Sequence, residues 1–103
     1  MAHTINTGDI LVGEYHYSMT IPHFYQVIKV TDKRLKVVRM DSRMVKSVDR
    51  YNQQGWEIPT CSDLDAKTEI VRPYRDEWVI GSRYDKIYLR KWDGQPVWAD
   101  YCD

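Results

Sequence analysis

Between Phe24 and Met40 the chain spells out a β-hairpin, and that segment limits the rest of the fold more than any other. Phe24 to Thr31 is a run of aromatic and β-branched residues. Asp32-Lys33 supplies turn chemistry, and Arg34 to Met40 alternates basic with apolar side chains. Two such runs around a short polar break pair antiparallel. Period two turns Leu35 and Val37 inward and leaves Lys36, with Arg34, in water. A lone hairpin is not stable in water, so its apolar face has to be covered by further strands.

The same grammar recurs along the chain. Asp9 to Tyr15 reads as a first strand around Ile10-Leu11-Val12. Thr68 to Tyr74 reads as another, closed by Pro73. Trp78-Val79-Ile80 is a strand fragment or one helical turn. Lys86 to Trp92 is a strand with Ile87 and Leu89 on one face. Asp93-Gly94 is a favoured two-residue hairpin turn, so Gln95 to Tyr101 is expected to return beside it. Pro96 cannot donate to a ladder, which places this last strand at a sheet edge where a second copy could pair.

Three stretches lack a clean period. Tyr15 to His23 is rich in aromatic residues and contains Pro22; it reads as a loop displaying large side chains. Asp41 to Gly55 supports either a short helix, from Met44, Val48 and Tyr51 at helical spacing, or a continued, bent strand favoured by Val45 and Val48. Trp56 to Ala66 reads as an irregular connection, and residues 1–7 as a disordered lead. The expectation is one domain over 1–103, mainly β. It would be a small SH3-like or half-open barrel of five to six short antiparallel strands with one possible short helix.

Net charge is zero, but it is unevenly spread. Lys29 to Arg50 carries eight basic residues against three acidic ones, and the flanks compensate. A dedicated nucleic-acid binder usually shows an overall basic excess, which is missing here. Eight Tyr and four Trp stand against a single Phe. Such residues suit a boundary that is dry on one side and wet on the other. The candidate contact residues follow from these two features. The aromatic segment offers Tyr15, His16, Tyr17, Met19, His23 and Tyr25. The basic segment offers Lys33, Arg34, Lys36, Arg39, Arg43, Lys46 and Arg50. Together they could serve a protein partner, or a nucleic acid bound by a basic groove with stacking tyrosines.

Motifs for chemistry are missing. Cys61 and Cys102 lie far apart and form no C-x-x-C pair, and the three histidines sit near the N-terminus, so no metal site is expected. Nothing in the sequence brings a base to Cys61. There is no phosphate-cradling glycine loop. The acidic pairs Asp63/Asp65 and Asp76/Glu77 suit turns better than acid–base work. No enzyme activity and no cofactor are expected. No apolar run reaches the ~20 residues of a membrane span. The thiols are expected to be reduced, in a cytoplasmic setting.

Gly8-Asp9-Ile10-Leu11-Val12, the stretch from Tyr15 through Tyr25-Gln26-Val27-Ile28-Lys29-Val30-Thr31, and the ending Leu89-Arg90-Lys91-Trp92-Asp93-Gly94-Gln95-Pro96-Val97 occur in that order. Together they resemble a family of small uncharacterised β proteins carried by bacteriophages and other mobile elements. The matching pieces cover about a third of the chain, at both ends, and leave 41–55 unmatched. The resemblance implies expression in a bacterial host cell. By analogy of size and origin, it implies inhibition of a host defence system of the anti-CRISPR or anti-restriction kind, through contact with a host protein or ribonucleoprotein complex.

Overall fold

The computed structural model describes residues 4–16, 19–51, 53–62, 66–82 and 84–101. Eight strands fill them: β1 (Ile10–His16), β2 (Thr20–Val30), β3 (Leu35–Ser47), β4 (Gln54–Ser62), β5 (Glu69–Tyr74), β6 (Glu77–Ile80), β7 (Ile87–Lys91) and β8 (Val97–Asp100). All pairings are antiparallel, and no helix occurs among the described residues. The mainly-β expectation holds, with eight strands where five or six were expected.

The β2–β3 hairpin forms as its pattern requires. Val27 faces Val37 and Phe24 faces Met40, and a bulge at Ile28 shifts the register by one. Leu35 and Val37 are buried, while Lys36 is exposed. Both faces of this ladder are used. On one face, Leu11, Tyr25, Val27, Leu35, Val37, Val71, Ile80 and Leu89 make the larger core, which Ile5 also joins. The supposed lead is therefore anchored at Ile5, and residues 1–3 lie outside the described set. On the other face, Val12, Phe24, Met40 and Val97 form a second core with Trp92 packed against it.

The pairings explain this division. β1, β2, β3, β5, β6 and β7 pair in a circuit that returns to β1, and every one of these strands sends side chains into the larger core. Close approach of β1 and β7 needs Gly13, since a Cβ there would strike the Tyr88 carbonyl oxygen and the side chains of Ile87 and Leu89. The second half of β3 leaves β2 and pairs with β4; β4 pairs with β8, and β8 reaches β2 at Thr20↔Asp100.

Four expectations are corrected. Of the two readings of 41–55, the helix fails and the continued strand holds from Asp41 to Ser47. A helix would need its Met44–Val48–Tyr51 stripe buried, yet Val48 and Tyr51 are 53% and 72% exposed. Instead β3 runs on to Ser47, and the Asp49 carboxylate closes the turn by accepting the Gln53 and Gln54 N–H groups at 2.8 and 3.1 Å. Residues 56–62 are not irregular but belong to β4, which pairs with β3 as far as Ser62 and, at Trp56 and Glu57, with β8 as well. Tyr15–His23 is largely hairpin, since the β1–β2 ladder extends to His16↔Thr20. Finally, the Asp93-Gly94 turn forms, with Gly94 at φ 87°, but β7 and β8 do not pair. β8 pairs instead with β4 from Val97 to Asp100 and touches β2 only at Thr20↔Asp100.

Candidate macromolecule-binding surface

The residues singled out from sequence do not converge on one groove. Lys33 and Arg34 sit at the β2–β3 turn and Arg50 at the β3–β4 turn. Lys36, Arg39, Arg43 and Lys46 are strung along β3 between them. Ten residues of strand separate Lys36 from Lys46, about 33 Å. His16 closes β1, its Nδ1 3.4 Å from Thr20 Oγ1, and Met19 lies half-buried in the turn. Tyr17 lies outside the described residues.

Four of them do come together. Alternation places Tyr15, His23 and Tyr25 on one face of the β1–β2 hairpin. Tyr15 stacks on His23 (centroids 6.1 Å, 15°), His23 meets Tyr25 at 6.4 Å, and the Arg39 guanidinium lies 5.7 Å over the Tyr25 ring. Burial, helped by the Arg39 charge, pulls His23 down to about 4, so the imidazole is neutral at pH 7. Burial likewise raises the Tyr25 phenol, with Glu69 adding to the effect. Tyr25 is only 4% exposed, so its ring is core and offers a partner almost nothing.

A different surface presents side chains outward. In β3 the register shifts between Met44 and Lys46, leaving Val45 as an extra residue. Arg43 stands opposite Ile58 and Lys46 opposite Trp56. Ile58 and Trp56 are two apart and share a face, so the bulge puts Arg43 and Lys46 on that face too. Trp56 stands opposite Trp98, and their rings meet edge-to-face at 5.5 Å and 69°. Trp56 is 38% exposed and Val45 43%. Among the described residues Arg43 and Lys46 make no ion pair.

Both tryptophans also border a cleft of about 340 Å³, with Trp92, Pro96, Glu14 and Arg90. The Trp92 indole donates to the Gln95 carbonyl at 2.7 Å. Arg90 holds Glu14 through two bonds of 2.8 and 2.9 Å, which keeps that carboxyl below its usual range. The opposite face of β4 is pinned by Glu57, only 3% exposed. Its carboxylate accepts the Ser42 hydroxyl at 2.6 Å. It also bonds the Tyr101 phenol, whose ionisation burial and Glu57 together push far upward. A polar group so deeply buried is tolerated only with such partners.

A second cluster lies on β5 and β7. The Tyr74 ring carries the Arg75 guanidinium at 5.2 Å and the Lys86 ammonium at 4.8 Å, and it meets Tyr88 at 6.5 Å. Tyr84 beside it is 89% exposed. Asp76, Glu77 and Asp85 offset these basic charges in the same stretch of sequence.

Among the described residues no group of three or more His, Cys, Asp or Glu is placed to hold a metal, and no helix is long and apolar enough to cross a membrane. Cys61 is exposed, with its Sγ 3.8 Å from an Asp41 oxygen. The outward aromatic pair that sequence reasoning missed is Trp56–Trp98. Each tryptophan was visible as an aromatic residue, but only the β4–β8 ladder brings residues 42 positions apart together. No protein-family model, curated protein or solved structure matches the chain.

Proposed function

We propose that this chain is a small SH3-like β-barrel of phage or mobile-element type that acts in the bacterial cytoplasm. It binds a host defence protein or ribonucleoprotein complex and blocks it by contact. The barrel reading rests on the closed circuit of six strands around the larger core. The observation that carries the function is the outward face of β3, β4 and β8, where the Trp56–Trp98 pair is flanked by Arg43 and Lys46, neither of which makes an ion pair among the described residues. Tryptophan and arginine are the residue types that dominate binding energy at protein interfaces.

The test is plating of a targeted phage on cells carrying a CRISPR or restriction system, with and without the chain. Expression raises plating by at least tenfold on one system, and W56A or R43E removes the effect while the protein stays folded. No rise on any system, with no stable host complex captured, refutes the proposal. The nucleic-acid reading is tested by gel shifts at low salt, where phosphate contacts bind most strongly. Because the basic residues of β3 are spread from one turn to the other, no shift is expected at micromolar protein.

A further inference from the structure

We propose that the unpaired edge of β3 over Asp41–Ser47 takes up an extended, acidic segment of a partner protein as an added strand; this rests on the binding function above and names its mode. A strand has two edges, and among the described residues Ser42 to Ser47 pair with β4 alone. Six of the seven residues from Asp41 to Ser47 are exposed, Met44 being half-buried. An open strand edge is a template for pairing with another chain.

Pro59 fixes which backbone groups point outward. It stands opposite Ser42 and has no N–H to donate. That pair is therefore a non-hydrogen-bonded one, and in an antiparallel ladder the pairs alternate. Arg43 opposite Ile58 is the bonded pair, directed at β4. The N–H and C=O groups of Ser42 and Met44 then face the open edge. An incoming strand would bond to these two residues.

Charge selects the occupant. The bulge at Val45 brings Arg43 and Lys46 to one face although three positions apart in sequence. Acidic side chains at alternate positions of an added strand would stand beside them. Of the nearby acids, Asp49 is engaged by the Gln53 and Gln54 amides and the Ser47 hydroxyl, and Asp41, at the start of the segment, accepts the Cys61 thiol at 3.8 Å. A second copy fits less well. The in-register pairing that bonds Ser42 to Met44 sets Arg43 against Arg43, and like charges directly opposite destabilise a ladder.

The test uses the full chain and a synthetic peptide alternating glutamate with valine, with a lysine–valine peptide as control. Amide hydrogen exchange is read by NMR. At saturation with the glutamate peptide, the Ser42 and Met44 amides slow at least tenfold, Arg43 is unchanged, and the lysine peptide does nothing. R43E/K46E, both exposed substitutions, loses at least tenfold in affinity for the glutamate peptide. The proposal is overturned if neither amide slows, if both peptides act alike, or if the same amides slow with rising protein concentration alone, which would mean self-pairing. If the peptide fails while W56A still abolishes the plating effect, the binding function stands and strand addition falls.

Discussion

His23 offers a sharp check on the packing of the β1–β2 face. Its imidazole lies between the Tyr15 and Tyr25 rings and near Arg39, and titrates at about 4 in the folded chain against an ordinary 6.5. The unfolded chain therefore binds a proton between these values that the folded chain refuses. His23 costs nothing in stability above pH 6.5. The penalty grows as pH falls toward 4 and is constant below that. From pH 7 to pH 5 the full shift corresponds to about 2 kcal/mol. The ring is only half-buried, so solvent screening reduces this to about 1 kcal/mol. The assay is urea unfolding at pH 7 and pH 5 for the native chain and for H23Q, which cannot titrate. The native chain should lose about 1 kcal/mol more than the variant over that interval, with unchanged m-values. Equal losses in both proteins would show that the ring is solvated, and the stacked column would have to be abandoned.

Two further substitutions test other parts of the fold. F24A removes the largest side chain of the second core, fully buried and edge-on to Trp92 at 6.2 Å, and should cost about 3–5 kcal/mol by urea unfolding; a loss under 1 kcal/mol would show that this core is not packed. Arg75 and Asp76 both have positive φ, 50° and 64°, in the two-residue turn between β5 and β6, a conformation that costs non-glycine residues roughly 1 kcal/mol each. D76G should accordingly raise the thermal midpoint by a few degrees, and a fall in calorimetry would refute the turn geometry.

The hairpin from Phe24 to Met40 was legible because its alternation coincides with its burial, Leu35 and Val37 in and Lys36 out. β4 was hidden because its signals run against the rule. Its inward residue Glu57 is charged, and Gly55 and Pro59 look like breakers. Yet Gly55 is demanded by the close approach of the Lys46 carbonyl oxygen and the Met44 sulfur. Pro59 is tolerated because it lies beyond the part of β4 that pairs with β8, so its missing N–H leaves no ladder bond unmade there. The last two strands misled for another reason. A turn sequence specifies a reversal of the chain but not which neighbours the strands then find, and here β8 finds β4 and, at Asp100, β2. The same limit hid the proposed binding face. Arg43 and Lys46 were visible as basic residues in a row, but their shared face depends on a bulge and their tryptophan neighbours on a distant ladder.

The most direct measurement is an amide-exchange footprint of the full chain bound to the host defence complex proposed as its partner. Slowed exchange confined to β3, β4 and β8, centred on Ser42, Met44 and the Trp56–Trp98 pair, is the expected result. Protection centred instead on Tyr74, Lys86 and Tyr88, with the β3 edge exchanging as in the isolated chain, would contradict it.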